Sequence, residues 1–344
     1  MASNELFNSI SKMDQEGVKF GRRSFMLATG AAILSVGAWR YYSTRPMTYY
    51  PRKISFITPN RDFYVMSVNM FYSPEIDLNT WRLLLKGVDG RQISLSMDDI
   101  KAFPSKEIRR TFCCISNPVG GTAISNALWR VVSLKELLKT ILTEKRDGVR
   151  MLTSGMDGFY SSVSLDLALH EDSFIAYEMN SEALPTDHGF PARMMIPGKY
   201  GMKQPKWLKS IELTDREVGG FYEDRLWTQD GEVQATTRLD RAANIETEGE
   251  DIVLEGIAFT GYPSVAKVEV SVDNGKSWSN AVLTTEPEKN VWTLWKYVWR
   301  RPLPGQYTVF CRVVDQTGKR QVEAESGNFP NGATGLHKVT LTVV

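Results

Sequence analysis

The 344-residue chain is poor in the residues that usually build a metal or redox site: three cysteines and three histidines, all scattered. Three cysteines give no disulfide framework, and Cys113 and Cys114 are neighbours whose side chains diverge in most backbone conformations. There is no Cys-x-x-Cys-His haem attachment and no four-cysteine iron–sulfur spacing. An excess of one charge sign is also missing. Lys+Arg number 41 and Asp+Glu 40, a net charge of +1, which removes the electrostatic case for a nucleic-acid partner. No internal repeat or low-complexity tract appears. The apolar run from Phe25 to Trp39 is about 15 residues, short of the ~20 that span a bilayer comfortably.

What remains is an ordinary globular balance, 42% apolar and 24% charged, with length for about two domains. Aromatic content is 11% with nine Trp, which fits a β-rich protein with large cores. Residues 1–50 read as a targeting segment and lead. Gly21-Arg22-Arg23-Ser24-Phe25 before the apolar run resembles a twin-arginine export signal. Val36-Gly37-Ala38 offers a small-residue cleavage site; an uncleaved N-terminal membrane anchor is the alternative. Either reading places the rest of the chain outside the cytoplasm, in the periplasm. Twin-arginine export moves folded proteins, which suits one that receives a cofactor before export.

Residues 51–240 read as a mixed α/β domain. Trp81–Gly87 is a strand and Asp89-Gly90 a hairpin turn. Ser96 opens a short helix with Asp98 and Asp99 in its first turn. Ser133 caps a second, with Glu136 expected to complete a capping box. Residues 232–250, polar and of mixed charge, read as an interdomain crossing. From 252 the pattern turns all-β: Val268, Val270 and Val272 share one face, Asn274-Gly275 signals a type I′ turn, and Val309, Cys311 and Val313 line another strand. Short strands at this spacing over residues 241–344 suggest an immunoglobulin-like sandwich. Trp292, Trp295 and Trp299 read as its core and interface.

Cys114 lies in Thr111-Phe112-Cys113-Cys114-Ile115-Ser116-Asn117, followed by Pro118-Val119-Gly120-Gly121. A thiolate on a short polar loop is a candidate soft-metal ligand. One cysteine cannot close a zinc site, which takes about four protein ligands, or three and a water. A metal here would draw most of its coordination from a carried, organometallic cofactor. The bland reading is a buried small hydrophobe. On the same terms His188 is a surface turn residue, and Arg193 and Lys206 are solvated charges.

An ordered set of segments over roughly residues 55–344 resembles the sulfite oxidase family of molybdopterin oxidoreductases. Thr-x-x-Cys-x-x-Asn at 111–117 resembles the family's molybdenum-cysteine loop. Gly121 to Trp129 follows, then Ala176-Tyr177-Glu178-Met179-Asn180. Leu184-Pro185-x-x-His188-Gly189-Phe190-Pro191-x-Arg193, Ile196-Pro197-Gly198 and Lys206-Trp207 form the most specific block. Val268 to Trp278, Trp292-x-x-Trp295 and Arg312-x-x-Asp315-x-x-Gly318 resemble its dimerisation domain. The resemblance implies an α+β chain: a mixed α/β sulfite-oxidase-type molybdopterin domain followed by the immunoglobulin-like sandwich. It implies Cys114 as the thiolate on molybdenum, with Cys113 turned into the core. It implies a molybdenum-molybdopterin cofactor held by His188, Arg193, the Gln204-Pro205-Lys206 turn, Asp157, and backbone around Tyr64, Val65 and Met66. Lys199 and Lys203 would reinforce a phosphate pocket by their sign.

The activity so implied is two-electron oxo transfer to or from a small sulfur- or nitrogen-containing substrate. No haem domain is evident, so a separate electron carrier, a cytochrome or membrane haem subunit, would exchange electrons; the sandwich suits a homodimer. Two other readings stand beside it: a cofactor-bound but non-catalytic or assembly protein, and a metal-free binding sandwich. This chain departs from the family around the substrate. Pro118 and Val119 stand where sulfite oxidases carry an arginine after the cysteine loop, and Phe63-Tyr64-Val65-Met66-Ser67 where they carry another. The family's active-site tyrosine falls near Gly219. Lys199-Tyr200-Gly201-x-Lys203 resembles the exported methionine-sulfoxide reductase branch, which lacks the sandwich.

Overall fold

Strand pairing organises this chain, and its helices are short. The computed structural model describes Arg52 and residues 54–68, 73–143 and 147–344. The targeting segment of residues 1–50 lies outside the described residues. Among those described, no helix is long and apolar enough to cross a membrane. The first half runs β1 (Leu83–Lys86), β2 (Gln92–Leu95), α1 (Met97–Lys101), β3 (Ser105–Cys113), β4 (Ile124–Ser133) and α2 (Leu134–Leu138). It continues with β5 (Arg150–Gly155), β6 (Tyr160–Ser164), α3 (Leu165–Ala168), β7 (Phe174–Met179), β8 (Glu182–Ala183), β9 (Arg193–Met195) and β10 (Leu208–Thr214). Helices of four or five residues make this half mostly β, a correction to the mixed α/β expectation.

One sheet has the order β2-β1-β10-β5-β6, with β1 and β10 parallel. A second has the order β3-β4-β7-β8, with β9 also on β7. The first sheet packs with the helices over a core that includes Leu83, Leu85, Ile100, Leu134, Leu137 and Ile211. The expected turn forms at Asp89-Gly90, where Gly90 takes φ +83° and the Asp89 carboxylate accepts from Arg91 N at 3.0 Å. Ser96 and Asp99 make the full capping box. At Ser133 only half of it forms. Ser133 Oγ accepts from Glu136 N, while the Glu136 carboxylate takes Lys139 Nζ at 2.7 Å.

The second half runs β11 (Thr236–Ala243), β12 (Ile252–Phe259), β13 (Val265–Ser271) and β14 (Ser279–Asn280). Then come β15 (Val282–Leu283), β16 (Thr293–Trp299), β17 (Gly305–Asp315) and β18 (His337–Val343). These form two four-stranded antiparallel sheets, β11-β12-β16-β15 and β14-β13-β17-β18. Leu254 and Trp295 of one meet Val268, Val270, Cys311 and Leu341 of the other. Alternation puts those side chains inward because successive residues of a strand face opposite ways. Asn274 and Gly275 both take positive φ, +64° and +83°, as a type I′ turn requires. Trp295 and Trp299 belong to the sandwich core, whereas Trp292 packs with Cys113, Ile115 and Tyr200 between the halves.

The stretch 232–250 is not a crossing. It contains β11, paired with β12 from Thr236↔Phe259 to Ala243↔Val253, so a boundary at 240/241 falls inside a strand. Two of its charges misled because they are buried as a pair. Arg238 Nε meets Asp240 Oδ1 at 2.5 Å and its Nη1 donates to Gly121 O at 2.7 Å.

Gly256 explains how β11 and β16 flank β12 so closely. A Cβ there would lie 1.9 Å from Arg238 O and 2.8 Å from the Trp295 ring. Gly256→Ala should therefore destabilise the fold by about 1–3 kcal/mol, the usual cost of overpacking, read as a lower urea midpoint at unchanged slope. A midpoint equal to wild type would mean the strands part without cost.

Candidate functional site

β3 delivers the cysteine loop. Its pleat turns Cys113 into the cluster with Ile115, Tyr200 and Trp292, and Cys114 passes the strand end into a pocket. The loop closes on itself: Cys114 N donates to Ala123 O at 2.9 Å, and Asn117 N to Cys114 O at 3.0 Å. Asn117 Oδ1 accepts from Ala123 N at 2.9 Å, which gives the Cys-x-x-Asn spacing a structural reason. Gly121 is obligatory, since a Cβ there would lie 2.4 Å from Asn117 Oδ1. Burial pushes both thiols up; at Cys114 hydrogen bonding from Ser116 opposes the rise. Among the described residues no group of three or more His, Cys, Asp or Glu could hold a metal. A metal on Cys114 therefore takes its other ligands from elsewhere.

The pocket gathers Tyr64, Met66, Asp157, His188, Arg193, Gln204, Pro205 and Lys206 together with Cys114. Val65 is the exception: it is 51% exposed and does not line the pocket.

His188, Arg193 and Lys206 meet because Gly189 lets them. At φ +114°, Gly189 has only hydrogen where a Cβ would lie 3.1 Å from the Cβ atoms of both Arg193 and Lys206. None of the three is a solvated surface group. His188 is 4% and Arg193 5% exposed. His188 Nε2 faces Asn60 O at 3.0 Å, an acceptor, so Nε2 carries hydrogen and Nδ1 remains for another partner. Burial lowers the His188 pKa, and the Asn60 bond opposes this.

Arg193 Nη1 donates to His188 O at 3.1 Å, and its guanidinium lies 4.0 Å from the Phe112 ring centroid. Its Nε is buried with no partner. Burial lowers its pKa to about 10. Lys206 Nζ donates to Asp187 O at 2.7 Å. Burial, then Arg193, push it down to about 7, against Asp157 and Asp187. Among the described residues neither cation has a carboxylate within ion-pair distance. Two desolvated cations with an orphaned donor form a standing demand for an anion, and a phosphate meets it with several acceptor oxygens. A phosphate-bearing cofactor fits these residues.

Asp157 Oδ1 accepts from Phe159 N at 3.1 Å, and burial raises its carboxyl pKa. Gln204 is spent internally: Oε1 accepts from Ile196 N at 3.0 Å and Nε2 donates to Lys199 O at 2.8 Å. Lys199 and Lys203 do not serve the anion. Lys199 pairs with Glu232, and Lys203 is buried against Glu223.

None of Arg109, Arg110 and Arg225 lines the pocket to replace the family's missing pair. Arg109 pairs with Glu288 at 2.8 Å, Arg110 donates to Asp172 O, and Arg225 stacks 3.7 Å from the Phe221 ring centroid. Sequence reasoning missed Asp187, Phe159, Met202 and Tyr222, which also line the pocket. Tyr222 was findable: it lies three residues beyond Gly219, in an aromatic stretch after Gly219-Gly220.

A β-rich domain whose pocket joins the Cys114 thiol to the Arg193 and Lys206 cations, followed by a two-sheet sandwich, fits one class, a molybdopterin-dependent oxidoreductase. Residues 70–222 match the family described as "Oxidoreductase molybdopterin binding domain", and residues 227–330 the "Mo-co oxidoreductase dimerisation domain". The chain belongs to the sulfite oxidase family of molybdenum-molybdopterin oxidoreductases. It is 30% identical over 312 residues to the mitochondrial sulfite oxidase of Homo sapiens, covering 76% of this chain and 56% of that protein. It is 27% identical over 291 residues to the NADH nitrate reductase of Solanum lycopersicum, covering 68% and 32%. The chain thus spans about half or less of the length of these relatives. The crystal structure of the sulfane dehydrogenase SoxCD from Paracoccus pantotrophus shares the fold, with a TM-score of 0.72 at 20% identity, over 85% of this chain and 84% of that one.

Proposed function

We propose that this chain is a molybdenum-molybdopterin oxidoreductase catalysing two-electron oxo transfer to or from a small sulfur- or nitrogen-containing substrate. The observation that carries the reading is the convergence of one thiol and an unpaired cation cluster in a single pocket. Cys114 binds the metal. Arg193 and Lys206 hold the cofactor's phosphate end, and His188 Nδ1, an acceptor while Nε2 carries the hydrogen, takes an O–H or N–H donor of the cofactor. Asp157 accepts from pterin N–H groups, and the Gln204-Pro205 turn and the backbone around Tyr64 and Met66 shape the walls. When bound, the cofactor supplies a metal that alternates between two oxidation states while an oxo group moves. The chain's own work is to present the thiolate, fix the phosphate and keep water away with Phe63, Phe159 and Met202.

A separate one-electron carrier, a cytochrome or membrane haem subunit, exchanges electrons with the site. The dimerisation-domain match supports a homodimer built on an immunoglobulin-like sandwich; a clean monomer in sedimentation would count against it. Export by the twin-arginine route to the periplasm, with or without a retained N-terminal anchor, completes the reading. The test is elemental analysis for molybdenum, followed by challenge with sulfite, sulfoxides and N-oxides while the metal's absorbance is followed. No molybdenum, or no substrate-dependent change, would sink it.

Lys206 gives a pH test. Its pKa is depressed to about 7 in the unliganded pocket, and a bound phosphate raises it. Cofactor binding therefore takes up a proton above pH 7. Affinity is full below about 7 and falls by up to about tenfold per pH unit above it, until the raised pKa is reached. Lys206→Arg, which stays charged, should flatten that profile in a reconstitution titration. An unchanged slope would remove Lys206 from the phosphate site.

A further inference from the structure

We propose that the Tyr64 and Tyr222 hydroxyls form the substrate-recognition pair beside Cys114, selecting a neutral organic S-oxide or N-oxide over an oxyanion. This deepens the functional reading above and rests on it. Both tyrosines line the pocket with Cys114. Tyr64 is fixed through its backbone, N to Ser125 Oγ at 3.2 Å, and its ring stacks on Phe63 with centroids 5.5 Å apart. Tyr222 is fixed by its ring, edge-on to Phe159 at 5.8 Å and to Trp227 at 5.9 Å. Neither hydroxyl has a hydrogen-bond partner among the described residues. By contrast Tyr160 reaches Asp224, Tyr200 accepts from Gln234 N and Tyr307 donates to Leu303 O. Two phenols held by their rings, with free O–H groups beside one thiol, are donors awaiting an acceptor.

A phenol keeps its proton near neutral pH, so both hydroxyls are able to donate. Among the described residues the Arg and Lys side chains that line the pocket are Arg193 and Lys206, and both go to the cofactor's phosphate in the functional reading above. Arg109, Arg110 and Arg225 do not line the pocket. The walls nearby are Met66, Ile115, Phe159 and Met202. An oxyanion would exchange water there for two neutral donors and thioether carbon, at a large desolvation cost. A neutral oxide sets its oxygen on the phenols and its alkyl or aryl groups on the methionines, which adapt to irregular shapes.

The test uses the metal-loaded full chain, with ligand binding read from the tyrosine near-UV difference spectrum and the perturbed metal absorbance. Dimethyl sulfoxide and trimethylamine N-oxide should bind at least about tenfold more tightly than sulfite or sulfate. Tyr222→Phe and Tyr64→Phe should each weaken the neutral ligands by roughly tenfold and leave sulfate binding unchanged. Thermal unfolding checks both variants, and if Tyr64→Phe misfolds, Tyr222→Phe decides. Tighter binding of sulfite to the loaded protein, or wild-type affinity in the Phe variants, overturns this inference alone. A chain that holds no molybdenum overturns the functional reading and this inference with it.

Discussion

Cys114→Ser is expected to leave molybdopterin in the protein and remove turnover. The substitution changes one atom in a loop whose shape does not depend on it. Cys114 is held by its backbone, to Ala123 O and from Asn117 N, and Asn117 Oδ1 closes the loop independently. The side chain is 9% exposed, so an oxygen of similar size fits. What changes is the donor. A thiolate is a soft, strongly donating ligand, whereas a serine hydroxyl keeps its proton near neutral pH. The proposed phosphate anchors, Arg193 and Lys206, are bonded to His188 O and Asp187 O and not to Cys114, so retention should survive. Loss of an outer-shell partner alone costs about 10–100-fold at metal sites; loss of the ligand should exceed that. Metal and pterin content measured beside steady-state turnover checks it. Full activity with normal loading would remove Cys114 from the metal.

The second large effect concerns stability. Lys203 and Glu223 are buried against one another, their side chains 1% and 0% exposed. Lys203 Nζ also donates to Ser162 O at 3.1 Å, and Ser161 Oγ donates to Glu223 Oε1 at 3.2 Å. The pair ties the turn Gly201–Lys203 to the turn Glu223–Arg225, and each turn adjoins a pocket wall, Met202 on one side and Tyr222 on the other. Glu223→Ala strands a buried ammonium and should cost about 3–5 kcal/mol. Lys203→Met with Glu223→Leu removes both charges and should recover much of that, because a buried pair is often no better than apolar residues of like volume. Urea unfolding of the two singles and the double closes the cycle. Singles within about 0.5 kcal/mol of wild type would mean water reaches the pair.

Much of this was legible in the sequence, and the failures share a cause. Strand alternation, the Asn274-Gly275 turn and the Ser96 cap are local, and each appeared where periodicity and turn chemistry put it. The pocket residues were legible only as an ordered set of motifs, since nothing in the spacing of His188, Arg193 and Lys206 says that Gly189 draws them together. The errors were polar residues taken as solvated. Arg238 and Asp240 read as linker charge and Lys203 as support for a phosphate pocket, yet each is buried with a partner distant in sequence or committed to a backbone carbonyl. Burial of a charge is decided by its partner, and a linear pattern does not carry the partner. Tyr222 was missed because attention rested on the family's position near Gly219, although the loop brings a phenol in from three residues further on.

The cysteine loop is held from behind by the other half of the chain. Asn328 Nδ2 donates to Ser116 O at 2.9 Å, Arg238 Nη1 to Gly121 O at 2.7 Å, and Thr111 N to Asn290 O at 2.9 Å. Three strands or loops of the sandwich thus set the backbone on which the thiol is presented. The consequence is one of inheritance. The two halves match separate family descriptions, but they are not interchangeable parts. A chimaera that takes its sandwich from a relative changes the frame of its own Cys114 loop, and the second half drifts only as far as Asn328, Arg238 and Asn290 allow.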